Sequence, residues 1–376
     1  MVAPRKTTQK SGPTIGQAGK LASVARPAEI APRLLPWYQQ HRRSLPWRES
    51  PDPYRVWVSE IMLQQTRVET VIPYYHRFLE RFPRLEDLAQ SEEEEVLTLW
   101  SGLGYYRRAR SLRAGAIEIE SKHDGKFPDD VTTALTLPGV GRYTAGAVLS
   151  IAYGLPVPIV DGNVERVMSR LFCIEGDPRR GAAKQSIWKL AEESLADESP
   201  GDFNQSLMEL GATVCTPQNP GCERCPLQTL CTAFQNGNVA HYPQLAGTRQ
   251  PVAITLQVAI VRQRGRFLLQ RITNQSFLRG MWMFPFVETA SPDALLSVLT
   301  NEFGLSFRQE TQLPVVRHSI TFRRLRVEST VLSPSATISI RGKPSFRWAS
   351  AAELGASVPV SSLALKIRRA LETTDI

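Results

Sequence analysis

Apolar side chains recur with a helical period from residue 30 to about residue 235, and the period changes after residue 251. VWVSEIMLQQTRVETV, residues 56–71, carries apolar residues at helical spacing. TALTLPGVGRYTAGAVLSIAY, residues 133–153, predicts two helices around a tight turn that holds Gly139 and Gly141. DGNVERVMSRLF predicts a further helix with Asp161 at its N-terminal cap.

Two smaller patterns refine these elements. Ser91 and Glu94 have the spacing of a capping box ahead of EEVLTLW. Residues 253–272 alternate apolar and polar positions around Arg264 and Gly265, which predicts strand, turn and strand. SITFRRLRVESTVL, residues 319–332, alternates in the same way, so the C-terminal part is expected to be mixed α+β.

The 376 residues are more than one hydrophobic core usually serves, so we expect two domains. Residues 1–28 are basic and aperiodic, which predicts a disordered arm. We expect a helical domain over residues 29–235, a linker over 236–250 and an α+β domain over 251–376. Because no stretch of eighteen apolar residues occurs, no transmembrane span is expected.

The net charge of +9 indicates a polyanionic partner, but it is unevenly distributed. Residues 1–28 carry +5, residues 29–250 carry −4 and residues 251–376 carry +8. The helical segment is therefore not a general polycation. If it binds nucleic acid, it does so through a local patch.

One such patch is LPGVGRYTAG, residues 137–146. A glycine-bracketed turn between helices exposes backbone N–H groups at a helix N-terminus, and these can bind a phosphate. An ordinary helical hairpin that needs glycine for a tight turn would look the same. Asp161, about twenty residues downstream, is by itself most simply a helix cap.

Four of the five cysteines lie within seventeen residues, at Cys215, Cys222, Cys225 and Cys231. Thiolates at this spacing can bind zinc or an iron–sulfur cluster in a reducing compartment. Structural zinc sites commonly use two close ligand pairs, and this run has one, so zinc fits poorly.

The segment LPWRESPDPYRVWVSEIMLQQT, residues 45–66, closely resembles the start of bacterial adenine DNA glycosylases of the MutY type. The hairpin, the following aspartate and the cysteine spacing of the [4Fe–4S] loop, residues 215–231, occur in that family's order. The chain is similar to the family along nearly its whole length from about residue 30. The resemblance implies a mostly α helix–hairpin–helix glycosylase core of the endonuclease III superfamily, followed by an α+β Nudix-like domain.

The resemblance assigns catalytic roles to four residues. It makes Glu60 the general acid that protonates N7 of adenine. It places Asp161 at the sugar, where a carboxylate stabilises positive charge on C1′. Tyr143 and Asn163 would hold the two carboxylates. Endonuclease III has a lysine where this chain has Tyr143, and tyrosine cannot form a Schiff base with C1′.

The resemblance also implies a DNA-binding surface. Gln65 would be a wedge in the base stack, and GLGYYRRAR, residues 102–110, combines aromatic rings with arginines; we expect Arg108 and Arg110 to be solvated. The implied substrate- and DNA-binding residues are Arg43, Leu45, Trp47, Arg48, Gln65, Thr66, Leu103, Tyr105, Gly139, Gly141 and Thr321.

The C-terminal segment departs from the family in one place. The family's 8-oxoguanine-reading loop commonly carries Phe-Ser-His, whereas this chain has Ile320, Thr321 and Phe322. The loss of the histidine predicts a modest preference for 8-oxoguanine over guanine. The carboxylate cluster of true Nudix hydrolases is also missing after Gly280, so we expect this domain to recognise DNA and not to hydrolyse nucleotides.

Together these features predict a monofunctional adenine DNA glycosylase that binds a [4Fe–4S] cluster. It would act as a cytoplasmic, nucleoid-associated monomer on double-stranded DNA with A:8-oxoguanine or A:G mispairs. Two alternatives remain open. One is a thymine-mismatch or pyrimidine glycosylase of the same fold, and the other is a non-catalytic iron–sulfur DNA-binding protein.

Overall fold

The structure is a computed structural model that describes residues 25–247, 250–273 and 278–374. Most of the predicted basic arm, residues 1–24, lies outside the described residues. The last four residues of that predicted arm, 25–28, are ordered and not disordered as predicted, because Ala25 is buried against the helical part and a short helical turn begins at Pro27. Among the described residues, no helix has the length and apolar character needed to cross a membrane.

Before the first strand, the α-helices of the described chain are connected by loops and short helical turns. They are α1 Ala31–His41, α2 Pro53–Leu63, α3 Val68–Arg81, α4 Leu85–Ala89, α5 Glu93–Leu99, α6 Arg107–Lys122, α7 Val131–Ala134, α8 Arg142–Ile151, α9 Gly162–Leu171, α10 Gly181–Glu193, α11 Pro200–Thr213 and α12 Thr232–Gln235.

The helical part has two apolar cores. One is built around Trp57, Phe78 and Trp100, and the other around Val167, Phe203 and Leu207. The apolar pattern of residues 56–71 spans two helices and not one. The chain breaks at the turn between α2 and α3, where Gln65 has a φ of 57°. The helix–turn–helix around Gly139 is confirmed, with Gly139 at a φ of 79°.

The capping box predicted for Ser91 and Glu94 is wrong. Helix α5 begins at Glu93, with Glu92 as its N-cap. The Ser91 hydroxyl donates to the Leu88 carbonyl. Glu94 instead pairs with Arg347 of the C-terminal part.

Strands begin at residue 252, as the alternating pattern predicts. They are β1 Val252–Gln263, β2 Arg266–Arg271, β3 Trp282–Met283, β4 Phe286–Glu288, β5 Phe307–Gln312, β6 Val316–Ile320, β7 Arg323–Pro334 and β8 Phe346–Ala349, and the helices are α13 Pro292–Phe303 and α14 Ser362–Glu372. The predicted strand–turn–strand is a tight hairpin in which Gln263 pairs with Arg266. Arg264 and Gly265 both have positive φ, as a two-residue turn of this kind requires.

The sheet is mixed and is covered on both faces. Strand β1 pairs in parallel with β7, and the other strand pairs are antiparallel. Val258 and Ile260 of β1 pack towards α14, whereas Ala259 and Val261 pack towards α13. Apolar residues at successive positions of β1 therefore fill two layers of one α+β domain, as predicted.

The two parts of the protein contact each other along α5, α6 and α14. Met281 and Leu278 of the C-terminal part join the first helical core. The Arg110 guanidinium donates to the Arg279 carbonyl at 2.6 Å. The Tyr106 hydroxyl accepts a hydrogen bond from the Ser362 amide at 3.3 Å. These contacts join the helical part to the segment before β3, and the α6 region to the first turn of α14.

Candidate active site

A cavity of about 200 Å³ opens between the two helical cores. It is formed by the short turn Pro46–Arg48, by α2, and by the starts of α8 and α9, with α11 along one side. Nine predicted site residues line this cavity, namely Arg43, Leu45, Trp47, Arg48, Glu60, Thr66, Tyr143, Asp161 and Asn163. Both predicted catalytic carboxylates therefore face one space with room for a single planar base.

Glu60 lies on α2 and is 5% exposed. The Tyr143 hydroxyl, from the first turn of α8, donates to its carboxyl group. Burial is the main cause that raises the pKa of Glu60, to about 7. The nearby charge of Asp161 adds to this, while the Tyr143 hydrogen bond opposes it. Glu60 can therefore hold a proton near neutral pH and release it to a bound group.

Asp161 caps α9, as predicted. Its Oδ1 accepts hydrogen bonds from the amides of Asn163 and Val164 at 2.9 and 2.8 Å, and its Oδ2 accepts from Asn163 Nδ2 at 2.8 Å. Burial raises the pKa of Asp161, while the three N–H donors favour its ionised form. The helix N-terminus and Asn163 thus orient the carboxylate towards the cavity.

A buried ion-pair network supports the other side of the cavity, and sequence reasoning missed its centre, Glu209 of α11. Glu209 accepts from Arg43 Nε at 2.7 Å and from Arg48 Nη2 at 2.9 Å. Burial alone would raise the pKa of Glu209, but the two arginines lower it overall. Arg48 also donates to Gln205 Oε1 at 3.1 Å. The predicted positions of Arg43 and Arg48 therefore depend on one carboxylate about 160 residues away.

A second residue that sequence reasoning missed, Arg166, joins the cavity to the cysteine loop. Arg166 Nη2 donates to Asn163 Oδ1 at 2.8 Å, and its Nε donates to the Cys215 carbonyl at 2.7 Å. Asn163 in turn donates to Asp161. The i,i+3 spacing of Asn163 and Arg166 on α9 was the signal available in the sequence. The chain of hydrogen bonds runs from Asp161 to the first cysteine of the loop.

The four clustered cysteines line one small cavity beside Arg170. Cys215 Sγ lies 3.3 Å from Arg170 Nη1. Burial raises the pKa of Cys225 to about 12 and of Cys231 to about 11, so both favour the thiol until a metal displaces the proton. In the described part of the chain, no three metal-ligating side chains are grouped closely enough to hold a single ion. Four thiols that line one cavity are a donor set that can bind zinc or an iron–sulfur cluster.

The remaining predicted residues lie outside the cavity. Gln65 is exposed in the turn between α2 and α3, and Tyr105 is 43% exposed in the loop before α6. Leu103, by contrast, is buried. Gly139 and Gly141 lie in the turn before α8, and Gly141 is the N-cap of that helix.

The prediction that Arg108 and Arg110 are solvated is wrong. Both side chains are half-buried. Arg110 pairs with Glu93 at 3.0 Å, and Arg108 donates to several backbone carbonyls. The sequence showed a run of arginines but not the carbonyl groups that converge on it.

Thr321 lies in the two-residue turn of the β6–β7 hairpin, between Ile320 and Arg323, which pair across the strands. It is exposed and has a φ of 54°. Ile320 is half-buried and packs against the core on the α14 side of the sheet. His318 lies within β6, opposite Leu325, and not at the tip.

Comparison with known proteins places the chain in a family. Residues 58–193 match the HhH-GPD superfamily of base excision DNA repair proteins. The adenine DNA glycosylase of Mus musculus is 36% identical over 385 residues, covering 87% of this chain and 75% of the mouse protein. The chain belongs to the adenine DNA glycosylase family.

Other relatives extend this result. The adenine DNA glycosylase of Homo sapiens is 39% identical, and the match covers 70% of this chain and 58% of the human protein. The structure of a thermostable thymine-DNA glycosylase superposes with a TM-score of 0.51 at 29% identity, covering 56% of this chain and 97% of that one. The helical core is therefore that of a base excision glycosylase, while the family match extends well beyond it.

Proposed function

We propose that this protein removes adenine mispaired with 8-oxoguanine or guanine in double-stranded DNA. The observation that carries the proposal is the buried Glu60, whose pKa is raised to about 7, facing one base-sized cavity together with Asp161. An acid that holds a proton at neutral pH and a carboxylate near it are the two groups needed to break a glycosidic bond.

The reaction begins when adenine leaves the stack and enters the cavity, because its glycosidic bond cannot be reached inside the duplex. Protonated Glu60 gives its proton to N7 of the base. The C1′–N9 bond then breaks, and its electron pair leaves with the neutral adenine. Positive charge develops on the sugar, where the Asp161 carboxylate stabilises it. Water adds to C1′ and loses a proton to the Glu60 carboxylate, which restores the acid.

The supporting side chains have separate tasks in this scheme. Tyr143 donates to Glu60, and Asn163 donates to Asp161, so each holds one carboxylate in place. Leu45 and Trp47 supply an apolar wall for the base. Arg43 and Arg48 are fixed by Glu209 and cannot readily turn away from the cavity.

We propose that the enzyme is monofunctional and leaves the abasic strand intact. Strand cleavage through a Schiff base needs an amine at C1′. Tyr143 occupies the position of the lysine in endonuclease III, and no lysine lines the described cavity.

We further propose that Cys215, Cys222, Cys225 and Cys231 hold a [4Fe–4S] cluster. Such a cluster would cross-link a loop that has only short helical turns, Cys222–Arg224 and Gln228–Leu230, to stabilise it. Iron and acid-labile sulfide should be present at four atoms each per chain. Cys225→Ala is expected to lose the visible absorption band and to unfold at a lower temperature. One zinc ion per chain, without sulfide, would contradict this assignment.

The C-terminal Nudix-like domain, in this proposal, reads the base opposite adenine. Its support is the charge of +8 over residues 251–376 and the exposed turn at Thr321. The β6–β7 hairpin would present Ile320, Thr321 and Phe322 to the lesion.

The test is single-turnover cleavage of four duplexes, containing A:8-oxoguanine, A:G, T:G or an oxidised pyrimidine. Each product mixture is divided in two, and strand cleavage is measured in one half after alkali and in the other without it. Cleavage of the adenine strand, seen only after alkali, is the expected result. Cleavage at T:G or at the oxidised pyrimidine instead would support the alternative glycosylases. Binding to all four duplexes without excision, by cluster-loaded protein, would support a non-catalytic DNA-binding protein.

A further inference from the structure

Two irregular loops lie side by side at the C-terminal end of α2. The first is the turn after Leu63, where Gln65 is exposed with a φ of 57°. The second is the loop before α6, where Gly102, Gly104 and Tyr105 all have positive φ, at 97°, 77° and 51°. A side chain other than glycine is disfavoured in this region, so the surrounding contacts must hold both loops in place.

The Arg108 guanidinium lies between these loops and binds both of them. Its Nη1 donates to the carbonyls of Ile61 and Met62 at 2.9 Å each, and also to the Gln64 carbonyl. Its Nη2 donates to Thr66 Oγ1 at 3.2 Å and to the Gly104 carbonyl at 3.1 Å. One planar group therefore fixes the end of α2, the turn after it and the loop before α6.

Aromatic rings hold the guanidinium itself. Its central carbon lies 5.6 Å from the centre of the Trp100 ring and 5.3 Å from that of Tyr105. Trp100 is fully buried, and its indole N–H donates to the same Gly104 carbonyl at 3.1 Å. The rings and the carbonyl groups thus set the guanidinium plane, and that plane sets the spacing of the two loops.

The partners of Arg108 are neutral. Its neighbour on α6, Arg110, binds the Glu93 carboxylate, whereas Arg108 contacts backbone carbonyls, a hydroxyl group and two aromatic rings. Carbonyls at a helix C-terminus lack intrahelical donors and carry partial negative charge, which a cation satisfies. Arg108 therefore holds backbone segments together, which an ion pair between two surface side chains does not do.

We infer that Arg108 is a positioning residue that sets the separation of the Gln65 turn and the Tyr105 loop, and thereby couples entry of adenine into the cavity to engagement of the opposite strand. The inference rests on the proposed function and on the family resemblance, which implies that Gln65 is a wedge in the base stack and that Tyr105 is a DNA-binding residue. Glu60 immediately precedes Ile61, so the same guanidinium also fixes the end of the helix that carries the general acid.

The experiment compares Arg108→Gln and Arg108→Lys in the full, cluster-loaded chain with Lys122→Gln. Lys122 is an exposed residue at the far end of α6 whose replacement removes the same charge. Three quantities are measured: the excision rate at saturating enzyme, the salt dependence of the dissociation constant, and the fluorescence of 2-aminopurine placed opposite 8-oxoguanine, which reports extrusion of the base.

The expected result for Arg108→Gln is a loss of about 100-fold in the saturated excision rate, the size expected from a misplaced loop. The fluorescence change on binding should fall with it, while the salt dependence stays that of the wild type. The rate and the fluorescence change of Arg108→Lys should lie between those of Arg108→Gln and the wild type, because lysine keeps the charge but cannot bind both loops at once. Lys122→Gln should match the wild type in rate and fluorescence.

Two outcomes would overturn the inference. The first is an Arg108→Gln protein with the wild-type saturated rate and with a salt slope lower by about one, since that identifies a phosphate contact. The second is an Arg108→Lys protein with full rate and fluorescence, which also decides the matter if the glutamine variant does not fold. A wild-type protein that extrudes 2-aminopurine but excises no adenine would refute the proposed function and leave the fluorescence comparison valid.

Discussion

The cavity around Glu60 and the tip of the β6–β7 hairpin differ in how their side chains are fixed. Glu60 is 5% exposed, accepts a hydrogen bond from Tyr143 and faces Asp161, which itself accepts three hydrogen bonds. Thr321 is exposed in a two-residue turn, and its hydroxyl donates to the carbonyl of the preceding residue. The carboxylates of the cavity are held in place before substrate binds, whereas the exposed side chain at the hairpin tip is free to adjust to a bound base.

The difference predicts how the two regions respond to substitution. Groups in the cavity act on developing charge, where misplacement is costly. The proposed role of the hairpin tip is to discriminate between bases on the opposite strand, where the loss of one exposed contact changes the free energy of binding only slightly. Of these two regions, the cavity should therefore give the large effects on rate, and the hairpin should give small effects on preference.

The largest effect is expected for Glu60→Gln. Loss of the general acid should lower the single-turnover excision rate by about 1,000-fold, within the range usual for such groups. Binding to an A:8-oxoguanine duplex should change little, because glutamine keeps the shape and can accept from Tyr143. An excision rate within threefold of the wild type would remove Glu60 from the mechanism.

The same substitution should stabilise the protein at high pH. Burial raises the pKa of Glu60 from 4.5 to about 7, so the folded state resists its ionisation. The penalty is absent below pH 4.5, grows as the pH rises to 7 and is complete above that, at about 3 kcal/mol. Urea unfolding at pH 8 should therefore favour Glu60→Gln over the wild type, and the two should converge near pH 4.5. Equal stability at both pH values would show that Glu60 is not buried as described.

Asp161→Asn should lower the excision rate by about 100-fold, because a neutral amide stabilises the charged sugar less well. Asparagine caps helices as well as aspartate does, so α9 should keep its start and the melting temperature should change little. The rate and the thermal transition are both measured on one preparation. An excision rate within threefold of the wild type would mean that Asp161 acts only as the cap of α9.

Tyr143→Phe is expected to have an intermediate effect, about tenfold in rate. The tyrosine hydroxyl lowers the pKa of Glu60, so its removal should move the loss of activity at high pH further upward. The pH–rate profiles of the two proteins provide the measurement. A shift of the profile to lower pH would contradict the hydrogen bond as the cause.

The smallest effect is expected at the hairpin. Replacing Ile320, Thr321 and Phe322 with Phe, Ser and His should increase the ratio of the A:8-oxoguanine rate to the A:G rate. The excision rate on the A:G duplex should stay at the wild-type value, because the substitutions do not change the cavity. Thr321→Gly serves as the control, because glycine suits the positive φ and removes the hydroxyl. A tenfold fall in the A:G rate for the triple variant would link the hairpin to catalysis.

The residues that the sequence could predict are those that belong to local patterns. The Asp161 cap, the Gly139 turn and the Arg264–Gly265 hairpin each depend on neighbours in the chain, and the structure confirms them. The family resemblance supplied Glu60, which a periodic pattern alone would have placed on an ordinary helix face.

What the sequence could not supply are contacts between distant segments. Glu209 holds Arg43 across 166 residues, and Glu94 pairs with Arg347 across 253 instead of capping its own helix. Arg108 looked solvated because its partners are backbone carbonyls, which no residue type reveals. Long side chains in this protein take their roles from the tertiary fold, so local spacing could not predict them.

The most direct test of the account is the pH dependence of the single-turnover excision rate on an A:8-oxoguanine duplex at saturating enzyme. If Glu60 delivers the proton, the rate should fall above a pH of about 7, with the slope of a single ionisation. A rate that stays constant to pH 9 would show that no buried acid with that pKa takes part, and would contradict the central role of Glu60.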